Sequence, residues 1–460
     1  MAAMETPLPV AVVGAGFSGT MAAIQLLAAL PRNQAVLLCE RGGTFGRGLA
    51  YGTGAPAHLL NLRATNMSAF PDRPRHFEDW LAGLEPGGAE GVQATPAGTF
   101  APRGLYGRYL TELLTDAVTR DGLPRLHLLN DAVTDLEPAG AGFRLRTEGG
   151  QTHAVAGADL AMGNLGAGGE PRSRHRLDPW KPETFGRLHP ELPILIVGTG
   201  LTMVDTVATL RGRGFTGPIV AVSRRGLLPN AHAATAPWPI PELTSADLAS
   251  LPALLGRFRR EVAAARAGGV DWRGVIDALR PITDTLWRSL PAPERARFLR
   301  HLRPFWDVHR HRTAPPAAET IADEIVRGGL TVRAGRILSI VDEPSQAIVA
   351  LRPRGGAAPI RLAVQGILDA TGIGRVSETD DPLLRRLIAR GLVRPGPFGI
   401  GLDATADYRT LGTRTSGRLW TLGPLLRGVL WECMAVPDIR NAAADLAAIV
   451  AADLDRAVAA

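Results

Sequence analysis

A short apolar run ending in closely spaced glycines, then a helical pattern, then a second apolar run, occurs twice in this chain. First comes Val10-Ala-Val-Val13, followed by Gly14-x-Gly16-x-x-Gly19. Helical spacing runs from Ser18 to Leu30 and stops at Pro31, and Ala35–Cys39 is the next apolar run, closed by Glu40. The first glycine permits a tight turn, the second lets a pyrophosphate reach the backbone, and the third lets helix and strand pack closely. Glu40 lies 26 residues after Gly14, near the interval at which an acid meets a ribose hydroxyl. The pattern returns at Ile194–Val197, Gly198-Thr-Gly200, a helix over Thr202–Arg211 and a strand over Pro218–Val222. Met203 stands where the third glycine would be, and the second strand ends in Ser223-Arg224-Arg225 rather than in an acid. A carboxylate there accepts from a 2′-hydroxyl and repels a 2′-phosphate, whereas arginine pairs with that phosphate. The two units therefore point to different nucleotides: FAD at the first, and NADPH at the second, with NADH as the alternative. The competing reading leaves Arg224 and Arg225 on a solvated turn. Two such sites in one chain imply hydride passing from nicotinamide to flavin.

Composition removes other classes. The 460 residues carry a formal charge of +7, but the basic residues are spread along the chain and only Lys181 is a lysine. No basic tail or run points to nucleic acid, a Walker A loop has no lysine to use, and a Schiff-base enzyme would depend on Lys181 alone. Two cysteines, Cys39 and Cys433, exclude a disulfide scaffold, a cysteine zinc ribbon and a CxxC oxidoreductase. That cysteine usage makes a reducing cytoplasm the expected compartment, and Met1–Pro9, lacking a basic start before an apolar core, reads as no signal peptide. Val10–Leu30 is long enough to span a bilayer, but its glycines read as strand, turn and helix, so no membrane is expected.

These motifs and several others resemble the bacterial FAD/NAD(P)-binding family of two-dinucleotide-binding-domain flavoproteins, which includes a flavin-dependent urate hydroxylase and aspartate N-monooxygenases. The resemblance rests on Val13–Gly19, Phe45-Gly-Arg-Gly-Leu-Ala-Tyr51, Leu59-Leu-Asn61 with Met67–Pro71, and Arg103 with Tyr106-Gly107. It continues through Val197–Asp205, Ser223–Pro229, Phe305–Arg312 and Trp431–Arg440. It implies an α/β fold of two Rossmann-like domains, the NAD(P)H domain inserted into the FAD domain, with an extra helical segment. The expected segments are 1–185 for the first part of the FAD domain, 186–365 for the NAD(P)H domain with a helical insertion at about 243–330, and 366–460 for the FAD domain's end.

The resemblance also suggests roles. In the long loop between Thr44 and Asp72, Asn61, Met67 and Ser68 would touch the flavin ring or else serve loop packing, and Arg47 would reach the pyrophosphate. Gly372 marks the return to the flavin domain. Gly423 would approach the flavin phosphates or ribityl chain, although Pro424 stands where the usual acid follows, and Trp431 would lie by the ring. The implied activity is a monooxygenase that consumes NAD(P)H and O₂ and hydroxylates a small polar substrate, urate or another purine or an amino-acid nitrogen, through a C4a-(hydro)peroxyflavin. The alternative is an NAD(P)H:flavin oxidoreductase that passes electrons to a partner. No separate catalytic acid or base is required, and none is singled out.

His309-Arg310-His311-Arg312 is the densest cationic cluster. His309, Arg310 and Arg312 suit a substrate carboxylate, a purine oxygen or the NADPH phosphate, or internal pairing on a helix. With only His301 and Asp307 nearby, no metal is expected. Cys39 reads as a small core residue.

Overall fold

The computed structural model describes residues 7–119, 124–166, 173–356, 358–414 and 417–458. Most of Met1–Pro9, read from the sequence as no signal peptide, lies outside them.

Val10–Val13, Val36–Cys39 and Gly157–Leu160 are buried at every position, as strands covered on both faces must be. They form a five-stranded parallel sheet in the order Leu419–Thr421, Gly157–Leu160, Val10–Val13, Val36–Cys39, Leu126–Leu129. On one face Val10, Val12, Leu38 and Trp420 pack with Met21, Leu110 and Leu446, from the helices Phe17–Ala29, Arg103–Thr119 and Val436–Val458. On the other, Ala11, Val13 and Leu160 meet Leu136 and Leu145 of an antiparallel three-stranded meander and Leu384 of the helix Pro382–Ala389. Both ends of the chain thus build one domain.

The second sheet has seven strands, in the order Arg176–Leu177, Gly366–Asp369, Ile194–Val197, Ile219–Ser223, Leu330–Asp342, Ala347–Pro353, Ile360–Val364. The first five are joined in parallel and the last two add an antiparallel edge. Gly366–Asp369 was expected to open the final flavin segment, but it pairs with Ile194–Val197 in the second sheet. Arg176–Leu177, expected before the second domain begins, pairs there too. A four-residue apolar run has no period to say which sheet it joins, and pairing across 172 residues decides it.

Between the strands at 219–223 and 330–342, helices span Ser245–Leu248, Leu251–Ala267, Trp272–Leu279, Thr283–Ser289, Ala292–Arg297 and Arg303–Arg310. Ser250 and Asp271 cap two of them, accepting from the backbone N–H of Ala253 and Arg273. The helix Pro315–Val326 returns to the second sheet, burying Ile321 against Val207 and Leu330.

The helix Leu201–Gly212 carries one set of contacts between the domains. Arg103 pairs with Asp205 at 3.0 Å. His58 Nε2 lies 2.9 Å from the Asp205 carbonyl and 2.6 Å from Thr209 Oγ1, while Thr53 Oγ1 meets His58 Nδ1 at 2.9 Å. Burial lowers the His58 pKa, so a neutral ring, Nε2–H donating to the carbonyl, carries this contact. No helix among the described residues is long and apolar enough to cross a membrane.

Candidate cofactor sites

Gly14 sits at φ +103°, and a Cβ there would lie 2.5 Å from the Ala161 carbonyl oxygen. At Gly19 a Cβ would fall 1.7 Å from the Gly14 carbonyl oxygen, so the helix approaches the turn as closely as two backbones allow. Gly16 caps the helix Phe17–Ala29 and faces Gly48, whose Cβ would come 2.8 Å from Gly16 Cα. The turn thus opens as bare backbone onto a cavity of about 570 Å³. Glu40 lines that cavity with both oxygens already placed: Oε2 accepts from Ala15 N and Oε1 from Gly42 N, each at 2.9 Å. Arg47 lines it as well, its Nε donating to Thr111 Oγ1 at 3.1 Å.

Gly423, at φ +75°, would bring a Cβ within 2.4 Å of Ser18 Oγ. Its neighbour Pro424, with Met434 and Ile439, lines the same cavity. The sequence reading missed Tyr51, Met162, Gly163, Asn164 and Met434, all in the lining. Tyr51 packs on Tyr106 at 4.8 Å between ring centroids, and burial pushes its phenol up to about 12. Their only advance signal is position: Met162–Asn164 follow the strand Gly157–Leu160 at the edge where a parallel sheet binds ligands.

Among the described residues, Asn61, Met67 and Ser68 are not in this lining. Met67 is fully buried in the core. Ser68 is fully buried too, its hydroxyl meeting the Arg73 carbonyl at 2.6 Å. The Asn61 carbonyl accepts from His232 Nε2 at 2.9 Å, tying this loop to the second domain.

The second turn repeats the first with less enclosure. Gly198 sits at φ +118°, with a Cβ 2.1 Å from the Ala370 carbonyl oxygen, while a Cβ on Gly200, which caps Leu201–Gly212, meets nothing within 4 Å. Met203, in place of a third glycine, is fully buried in the core. Ser223 Oγ accepts from Gly226 N and stands 2.9 Å from Thr199 Oγ1, linking the strand end to the turn. Arg224 is exposed and has no partner among the described residues. Arg225 is partly engaged, donating to the His301 carbonyl at 3.1 Å and lying 4.8 Å over the Phe305 ring. Gly372, at φ +94°, is open, with nothing within 4 Å of a Cβ.

The cationic cluster is not one site. Arg310 Nε and Nη2 donate to the two oxygens of Glu432 at 3.0 and 2.8 Å, and both side chains are under 8% exposed. That fork is filled, so Arg310 holds the insertion to the flavin domain's last segment, with its Nε–Nη2 edge committed to Glu432. Arg312 is buried and paired with Asp277, leaving Nε and Nη1 without partners. His309 meets the Phe305 carbonyl through Nδ1 at 2.7 Å and packs edge-on against Trp272. Burial pulls His311 down to about 3. Trp431, expected by the flavin ring, is stacked on Trp287 at 4.7 Å, lines a cavity of the helical insertion and is not in the first cavity's lining. No cluster of three or more His, Cys, Asp or Glu among the described residues is arranged to hold a metal.

Residues 11–165 match a family model described as FAD-NAD(P)-binding. No curated protein matches the chain in sequence. Among solved structures, the reduced form of ornithine hydroxylase from Pseudomonas aeruginosa superposes with a TM-score of 0.64 at 15% identity, covering 97% of this chain and 100% of that one. L-lysine 6-monooxygenase from Pseudomonas syringae gives 0.61 at 16% identity, with 97% and 100% covered. Thioredoxin reductase from Lactococcus lactis gives 0.54 at 13% identity, with 98% and 99% covered. The fold is that of the two-dinucleotide-binding-domain flavoproteins.

Proposed function

We propose that this protein is an FAD-dependent, NADPH-consuming monooxygenase that hydroxylates a small polar substrate, an amino-acid nitrogen in first place and a purine such as urate in second. The observation that carries the reading is the pair of glycine turns whose missing Cβ atoms leave room only for backbone, one opening onto a cavity with a preset carboxylate and the other ending in an unpaired arginine. Gly14, Gly16 and the start of the Phe17–Ala29 helix would cradle the FAD pyrophosphate, Arg47 would pair with it, and Glu40 would orient the ribose. Gly198, Gly200 and Arg224 would hold NADPH. Bound FAD would supply hydride acceptance and oxygen activation.

The same fold serves disulfide reductases, so the choice among its chemistries rests on this chain's residues. A dithiol mechanism needs an exchanging cysteine pair. The chain has two cysteines, both buried, and burial pushes both thiols up, Cys39 to about 12. Neither supplies a thiolate near neutral pH, which leaves O₂ or an outside acceptor for the electrons. The ornithine and lysine hydroxylases that share the fold favour nitrogen.

FAD-loaded protein supplied with NADPH and ¹⁸O₂ should place one ¹⁸O atom in the product of one of four substrates: L-ornithine, L-lysine, L-aspartate or urate. NADPH oxidation yielding only H₂O₂ with every one of them, and fast reduction of an added acceptor, would replace this reading with the oxidoreductase.

A further inference from the structure

The helical insertion holds a second cavity, of about 400 Å³, away from both glycine turns. Leu254, Leu255, Phe258, Leu286 and Phe298 form its walls, and Trp431 closes one side. Its few polar residues are mostly committed: the Thr283 hydroxyl donates to the Leu279 carbonyl at 2.8 Å and His309 Nδ1 meets Phe305 O. Two are exceptions: the buried Trp306 indole N–H has no partner among the described residues, and the other is Arg259. It stands exposed on the rim with no partner among the described residues. Phe305, also in the lining, is 40% exposed beneath the Arg225 guanidinium.

Small-ligand sites are concave, mostly apolar and about 300–1,000 Å³ in volume, with a few polar groups that fix orientation. A small charged amine placed here would lose its hydration with no carboxylate in the lining to pair it, so this is not a second site for the substrate proposed above. An aromatic body would exchange water for leucine and phenylalanine walls, and an anionic end would face Arg259. We propose that this cavity binds an aromatic monoanion, its rings among Leu255, Phe258 and Trp431 and its carboxylate or sulfonate at the Arg259 rim.

The probe is 8-anilinonaphthalene-1-sulfonate, titrated into the FAD-loaded full chain, with quenching of tryptophan emission as readout, since Trp287, Trp306 and Trp431 line the cavity. One saturable site per chain is expected. Leu255→Trp, which fills the cavity, should weaken it about tenfold or more. Arg259→Gln should weaken it about two- to fivefold, as loss of an exposed charge does, and leave uncharged N-phenyl-1-naphthylamine unaffected. Flavin content and NADPH oxidation should persist in both variants, which separates this test from the cofactor assignment. Phe258→Ala, which enlarges the cavity, should alter the affinity and stands in if Leu255→Trp fails to fold. Absence of a saturable site, or binding that the Leu255 and Phe258 variants leave unchanged, would overturn the proposal. So would a doubled mass in sedimentation that Leu255→Trp abolishes, because the cavity would then be covered by a second copy of the chain.

Discussion

Arg224 and Arg225 adjoin at the end of the second nucleotide strand, yet the structure makes them unequal. Arg225 already donates to the His301 carbonyl and stacks on Phe305, whereas Arg224 is exposed and unpaired. If this strand end meets the 2′-phosphate, Arg224→Ala removes a hydrogen-bonded charge pair. Such pairs contribute about 1.5–3 kcal/mol, and exposure to solvent and salt brings the value here to about 1–2 kcal/mol. That corresponds to about a 5–30-fold rise in KM for NADPH, with KM for NADH and kcat unchanged. Arg225→Ala should cost less in NADPH selectivity and should loosen the insertion, since it removes the contact with His301. The assay is steady-state NADPH and NADH oxidation by the FAD-loaded protein at two ionic strengths, and the Arg224 effect should shrink at the higher one. Equal losses for both nucleotides, or none, would refute the phosphate assignment and leave Arg224 on a solvated turn.

Three other substitutions test separate parts of the account. Gly19→Ala forces a Cβ into the Gly14 carbonyl and should yield protein with little bound flavin; a normal FAD-to-protein absorbance ratio would contradict the first-site assignment. Glu432→Ala strands the Arg310 charge in a buried site and should cost about 3–5 kcal/mol, read as a lower urea midpoint, while Glu432→Gln, which keeps one acceptor, should lose less. Asp159 lies fully buried in the first sheet with neither carboxylate oxygen bonded, and burial pushes its carboxyl up to about 7. The folded chain therefore holds a proton that the unfolded chain releases, so this residue's contribution falls as pH rises from about 4 to 7, by on the order of 4 kcal/mol. Asp159→Asn should flatten that slope and stabilise the protein more at pH 8 than at pH 5; an equal effect at both would show that the carboxyl is not protonated in the fold.

The two glycine turns were legible because part of what they require is local: a positive φ at Gly14 and Gly198, and at the first turn the approach of Gly19 to the Gly14 carbonyl five residues before it. The features that the sequence hid depend on distant partners. Arg310 looked like a ligand for a substrate anion until Glu432, 122 residues later, filled its guanidinium fork. Trp431 was expected near the ring; it stacks on Trp287 from the insertion and lies outside the lining of the first cavity. Met67 and Ser68 lie in a loop without periodicity, so nothing in the sequence told core-facing from cavity-facing positions there. The strand Gly366–Asp369 has the same apolar character whichever sheet it joins. The aromatic-lined cavity of the insertion was invisible for a related reason, since four helices and one flavin-domain tryptophan must assemble before it exists.

The central claim is that electrons from NADPH reach O₂ in a reaction that delivers one oxygen atom to substrate. Stopped-flow absorbance tests it most directly: FAD-loaded protein is reduced anaerobically with NADPH, then mixed with O₂. The account predicts rapid bleaching with NADPH, then a transient spectrum distinct from both the oxidised and the reduced flavin before oxidised flavin returns. Bleaching followed by direct return to the oxidised spectrum, with one H₂O₂ per NADPH in the presence of all four substrates, would contradict it.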